Sequence, residues 1–211
     1  MALADVYPLA FLSDLLRHQS LTFDLLRFDE QSGSGDGRFW AARLATPLWQ
    51  VTAPMIVRDR FAAAEISAKI RALDGMRRQF LFEDKSYSPA SGGLPGSSVK
   101  IASINADRTA IALNSLPAGY RVTAGDRMSI AWGSGRYFFA EFAETVTANG
   151  SGVTAQIAIM PYLPQSIATG AAVEMARPRL KAIVPPGGFT PFTDIPGRLS
   201  QGASLILLQK T

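Results

Sequence analysis

Apolar and polar residues alternate over short stretches of this chain, and glycine, proline, asparagine and serine separate the stretches. Alternation with period two marks half-buried strands, because successive side chains leave a strand on opposite faces. Residues 21–28 predict one strand, with Leu21, Phe23 and Leu25 on one face and Thr22 and Asp24 on the other. Residues 39–44 and 48–56 predict two more, broken by Pro47 and Pro54. The run from Gln31 to Gly37, rich in glycine and serine, predicts a flexible loop between strands. A 3.6-residue period occurs once: Ile66, Ile70 and Leu73 form an apolar stripe after Asp59, a residue suited to cap a helix. Glu65 and Lys69 sit one turn apart for an ion pair, and Gly75 is placed for a left-handed residue just past the end. Residues 78–83 return to period two, with Phe80 and Phe82 on one face. The first 19 residues predict an irregular or short helical lead-in.

The texture changes after residues 84–97, a linker rich in serine, glycine and proline. From Ser98 onward the pattern predicts short strands alone: 99–104, 109–113, 128–132, 136–146, 153–159 and 172–175. Turn signals recur between them, and Val153, Ala155, Ile157 and Ile159 alternate with Thr154, Gln156 and Ala158. Regularly spaced short strands predict a small barrel or sandwich. Past Pro178, residues 180–184 and 204–208 predict two strands joined by a long irregular crossing from Pro185 to Gly197. The fold class expected is mainly β with one helix.

Residues 20–83 give a thin core of their own, and the C-terminal strands give none. An apolar strand at 204–208 left without a partner is an aggregation hazard. We therefore expect the tail to return and complete the first sheet. The domains expected are 1–88 with 179–211, discontinuous, and an inserted 97–178. Excising the insert with a short bridge is then expected to leave a folded remainder.

Composition narrows the chemistry more than the fold. With 211 residues, 47% hydrophobic and 18% charged, the chain is globular. The formal charge is +4, and neither half carries a block of like charge. The nearest clusters, Arg77 with Arg78 and Arg177 with Arg179 and Lys181, are too small for a nucleic-acid footprint. Cysteine is absent, which excludes disulfides, thiolate nucleophiles and cysteine metal sites. No apolar run approaches the ~20 residues that cross a bilayer as a helix. The N-terminal stretch lacks the basic start of a signal peptide, so synthesis in a cytoplasm without export is expected.

No constellation predicts catalysis. His18 is the only histidine and has no ligand motif around it, so it reads as a surface or interface residue. Gly33, Gly35 and Gly37 imitate a phosphate cradle, but no helix or Lys–Ser/Thr pair follows. Glu141 and Glu144 would face opposite ways on a strand, which does not suit a glycosidase pair. Trp40, Trp49, Trp132, Tyr137 and Phe139 could form a sugar platform, but core or interface packing is the commoner use of such residues. No catalytic, cofactor-binding or metal residue is expected, and no cofactor.

One ordered set of features goes beyond generic pattern. A tryptophan-bearing strand from Trp49 to Met55 leads to an alanine-rich helix from Phe61 that ends Leu73-Asp-Gly75. A phenylalanine-rich strand around Phe80 and Phe82 follows, then Asp84 and a proline/glycine-rich stretch. Further on come Leu116 to Gly119, Ala124 to Ile130, Arg136 to Phe139, Asn149 to Gly152, and Ile159 to Tyr162. In this order residues 20–178 resemble the distal tail proteins of long, flexible-tailed bacteriophages and related gene transfer particles. Asp74 and the Arg77–Arg78 pair depart from that pattern, and the last 30 residues carry no part of it.

The resemblance implies a tail-tube-like first domain and a β-barrel on the outer side of a hexameric ring. It implies a structural role at the virion tail tip, joining the tail tube to the tail-tip hub, with DNA passing through the lumen without specific binding. It implies no enzymatic activity and no membrane. A receptor- or carbohydrate-binding tail accessory is the alternative from the binding class, and a β-fold hydrolase using carboxylates the alternative from the enzymes. Contacts between copies are expected near the Gln31–Gly37 loop and the segment containing Trp49.

Overall fold

The computed structural model of the protein describes residues 6–33, 35–96 and 98–210. Residues 1–5 of the expected lead-in, Ser34 of the expected loop, Ser97 at the expected boundary and Thr211 lie outside the described residues. The chain is mainly β with one helix, arranged in several sheets.

The largest sheet runs Val6–Tyr7, Gln79–Glu83, Arg179–Ile183, Ser204–Gln209, Phe39–Pro54, Thr22–Gly33. Val6–Tyr7 pairs in parallel with Gln79–Glu83, and the rest of that path is antiparallel. Arg179–Ile183 and Ser204–Gln209 thus lie in the middle of this path, whose other strands all come from the first 83 residues. Burial alternates as the pleat requires: Trp49, Val51 and Ala53 are buried, as are Leu205 and Leu207. Ile66, Ile70 and Leu73 of the helix Arg60–Ala72 join the same apolar cluster, with Leu12 and Leu16 from the lead-in.

The helix starts as its sequence dictates. The Asp59 carboxylate accepts from the N–H groups of Phe61 and Ala62 at 3.1 and 3.0 Å, and Glu65 pairs with Lys69 at 3.0 Å. Its end differs from expectation: Asp74 takes the first left-handed position at φ 52°, and Gly75 follows at 64°.

Several expected breaks are absent. Residues 39–54 form one strand, because Pro47 falls at a bulge where Thr46 and Pro47 oppose Arg27 alone. A bulge needs no ladder donor from that residue, which is where a sheet tolerates proline. The expected Gln31–Gly37 loop is mostly strand and tight turn, since pairing continues to Gly33 opposite Phe39. The expected crossing from Pro185 to Gly197 holds Phe189–Thr190 on the main sheet. It also holds Thr193–Ile195, which hairpins with Leu199–Gln201 beside Arg58–Asp59.

A second core belongs to residues 99–175. Its sheet runs Lys100–Ile104, Ala110–Asn114, Ile157–Met160, Arg136–Phe142, Arg127–Trp132. Ala172 bridges to Lys100 at one edge and Glu174 to Ser129 at the other, so this short segment closes a small barrel. Val99, Ile111, Leu113, Ile130, Phe138 and Ile157 fill it. The expected strand 153–159 is strand only over Ile157–Met160. Thr154 is buried instead of exposed, because its hydroxyl accepts from the Leu113 N–H at 2.9 Å.

The two cores meet through one strand. Phe138 and Ala140 of Arg136–Phe142 face the barrel, while Phe139 enters the first core. There it stacks on Phe23 at 5.9 Å and meets Trp49 edge-on at 5.8 Å. Arg127 lies 3.8 Å from the Phe23 ring centre and pairs with Asp84 at 3.0 Å. The expected linker is tied down here: Asp126 accepts from Ala90 N–H, and the Tyr87 hydroxyl accepts from Arg127 N–H at 2.7 Å.

Burial pushes the Tyr87 hydroxyl up to about 12, with the Arg127 backbone hydrogen bond opposing. The unfolded chain ionises this tyrosine near 10. The neutral form is therefore favoured by folding; its stabilisation is complete below pH ~10 and lost as pH rises toward 12. Tyr87→Phe is expected to flatten the alkaline decline in melting temperature across that window, read by calorimetry; an unchanged slope contradicts the assignment.

Candidate interaction surface

The strands Thr22–Gly33 and Phe39–Pro54 have two different halves. Near their base, Leu21, Phe23 and Leu25 pack on the first core opposite Trp49 and Val51. Beyond Leu26 and Leu48 the hairpin leaves the body. Residues 39–46 are exposed at every position, and on the facing strand only Phe28 is even half-buried. At ~3.3 Å per residue this arm extends roughly 20–25 Å. It carries Phe39, Trp40 and Leu44 at 70%, 59% and 68% exposure.

A two-stranded ribbon in water is marginal without a third layer. Exposed apolar residues along such a ribbon mark a surface made to be covered. Near the base of the arm Arg27 pairs with Asp29 at 2.8 Å, which raises the Arg27 pKa. A second exposed apolar group, Ile56, Val57, Phe61 and Leu199, lies around the helix start. The Arg60–Asp194 pair at 3.1 Å fastens the neighbouring hairpin there.

The residues that imitated chemistry are scattered. His18 lies beside Met55 with its Nδ1 buried and unpartnered among the described residues. Gly37 serves the turn of the arm at φ 83°. Glu141 is half-buried on its strand, and burial raises its pKa against the pull of Arg127. Glu144 lies past the strand end, where its carboxylate accepts from Ala158 N–H at 3.1 Å. Of the five aromatics, Trp49 and Phe139 meet inside the first core, Trp40 stands on the arm, and Trp132 and Tyr137 sit on the barrel. They form no common platform. Among the described residues no three His, Cys, Asp or Glu side chains gather for a metal.

The basic clusters also separate. Arg77 pairs with Asp74 at 3.3 Å. Arg177 and Arg179 flank the buried Glu83 at 3.8 and 3.7 Å. Lys181 is buried and donates to the Gly135 carbonyl at 3.2 Å.

Of the two expected contact regions, the arm contains the first. Trp49 is 3% exposed, so its side chain is core and not contact surface. The large apolar residues exposed on the arm are Phe39, Trp40 and Leu44. Their signal was available: from Phe39 to Ala42 four consecutive apolar residues leave no polar face, and a strand apolar on both faces is either deeply buried or an interface. Among the described residues no helix is long and apolar enough to cross a membrane. No family model matches the chain, and no curated protein is similar enough to count as a relative.

Proposed function

We propose that the protein is a structural component of a virion tail: a distal tail protein whose six copies form a ring joining the tail tube to the tail-tip hub. The observation that carries this reading is the arm. It is long, apolar, and exposed on both faces beyond Leu26 and Leu48. A neighbouring copy can cover it by a head-to-tail contact, and repetition of that contact closes a ring. The sheet edge at Thr22–Gly33 also needs a partner, which the same neighbour supplies. The order of motifs resembling the distal tail family sets the number at six.

On this reading the first core lines the ring and the barrel stands outside it. DNA passes through the lumen unread. The chain is made in the bacterial host cytoplasm and ends in the tail tip, with the tube and hub proteins as axial partners. The group around Phe61 is the axial surface this reading assigns. No chemistry is required of it, and it is not an enzyme.

Native mass spectrometry and electron microscopy of the particle test the reading. The expected result is six copies, or a multiple of six, in a layer with a central hole. Three copies in a three-fold layer, or hydrolysis of host wall polymer by the pure protein that a single carboxylate substitution removes, would overturn it.

A further inference from the structure

A cleft of about 470 Å³ opens where the arm leaves the barrel, bounded by Arg43, Leu48, Trp132, Arg136 and Tyr162. Its size falls within the range of small-ligand sites, about 300–1,000 Å³. Three observations distinguish it from a gap between two packed bodies.

Its charge is unbalanced. Among the described residues neither Arg43 nor Arg136 has an ion pair with a carboxylate; Asp29, opposite Arg43 in the hairpin, is engaged by Arg27 at 2.8 Å. Lys181 donates to Gly135, the residue next to Arg136, and Lys210 follows it through a backbone bond of 2.8 Å. Burial, with the positive charges of Lys210 and Arg136, holds Lys181 below its ordinary value. Cations gathered without carboxylates favour an anion.

One of its donors is oriented. The Arg43 guanidinium lies 4.9 Å above the Tyr162 ring centre, which fixes the plane of its fork.

Its wall is rigid. Arg108 donates to the carbonyls of Leu163 at 3.1 Å, Pro164 at 2.5 Å, and Ile167. The Trp132 indole N–H donates to the Ser166 hydroxyl at 3.0 Å. With that donor engaged, the indole offers the cleft its ring and not its polar tip.

We infer that this cleft binds a uronic-acid residue of an acidic polysaccharide, its carboxylate on Arg43 and Arg136 and the C–H face of its ring against Trp132. A planar guanidinium suits a carboxylate bidentately. An aromatic ring suits the apolar face of a pyranose, which a bare inorganic anion has no use for. A nucleic-acid backbone would need a cationic track along many phosphates, whereas two arginines line this cleft. Every residue of the cleft belongs to one copy, so a single subunit can bind the sugar.

Calorimetric titration of the full chain with tetragalacturonate tests it, beside neutral maltotetraose and sulfate. Saturable binding of the acidic sugar is expected, with a Kd in the ~1 mM range or tighter, and none of the neutral one. Arg136→Gln and Arg43→Gln are each expected to weaken it roughly tenfold or more at unchanged melting temperature. Arg77→Gln, in the turn after the helix where Arg77 pairs with Asp74, should leave it unchanged. Absence of binding at ~10 mM, equal binding of maltotetraose, sulfate competing as well as the sugar, or equal loss in Arg77→Gln would each overturn the inference.

Discussion

A chain ending at Arg179 is expected to lose the first core and keep the barrel. The missing residues include Leu180, Leu205 and Leu207, exposed by 1%, 0% and 0%. Truncating one such leucine to alanine costs about 2–5 kcal/mol, while whole domains are stable by about 5–15 kcal/mol. Removing two central strands exceeds that margin several times over and leaves the edges of Gln79–Glu83 and Phe39–Pro54 unpaired. The barrel, by contrast, retains its closing segment at Ala172 and Glu174 and the bond from Arg179 N–H to the Ser129 hydroxyl at 2.9 Å.

Hydrogen exchange measures both halves of this expectation. Amides at Val51, Phe80 and Phe82 should exchange freely, and those at Ile111, Ile130 and Ile159 should stay protected. Continued protection of the first group would show that the C-terminal strands are not needed for that core. The opposite excision is harsher than the linear pattern suggests. Removing 97–178 also removes Phe139 from between Phe23 and Trp49, and Arg127 from Asp84. Losing a buried phenylalanine alone costs about 3–5 kcal/mol, so the remainder is expected to melt well below the intact chain.

What the linear pattern conveyed was local. The helix was legible because the Asp59 cap and the stripe of Ile66, Ile70 and Leu73 lie within fifteen residues of one another, and their physics needs no distant partner. The strands at Gln79–Glu83 and Ser204–Gln209 were legible for the same reason. What depended on a partner far along the chain was not. Pro47 reads as a breaker unless the opposing register is known, because only the partner strand shows that its missing N–H falls at a bulge. Asp74 takes a left-handed turn that glycine was expected to fill, and its carboxylate pairs with Arg77 there. Phe139 was placed on a strand correctly, but alternation cannot say which of two cores each face meets. The Trp49 side chain is core, while Phe39, Trp40 and Leu44 stand exposed on the arm. The sequence carries a difference: Trp49 alternates with Gln50 and Thr52, whereas Phe39 to Ala42 have no polar face. The cleft at Arg43 and Arg136 was not legible at all, because its walls come from positions 43, 132, 136 and 162.

Shortening the arm is expected to abolish assembly and spare the fold. Leu26 and Leu48 face each other in the register, so replacing residues 27–47 with Asn-Gly closes the hairpin by a two-residue turn whose twist matches the strands. The removed residues contribute little to either core: Phe39, Trp40 and Leu44 are mostly exposed, and Pro47 is the one buried position among the described residues of the span. The melting temperature is therefore expected to move by no more than a few degrees, the shift that about 1 kcal/mol produces. The proposed ring has no such reserve. Exposed tryptophan and other large apolar residues on an interface are where binding energy concentrates, about 2 kcal/mol or more for each hot spot. In a closed ring every interface loses them together, so the six-fold species should disappear entirely. Trp40→Ala with Leu44→Ala should reproduce most of the effect without touching the backbone. The measurement is mass photometry beside calorimetry on the same samples. A shortened protein that still forms rings would show that the arm is not the contact between copies. One that unfolds would show that the arm supports its own subunit, and that its apolar residues are covered from within.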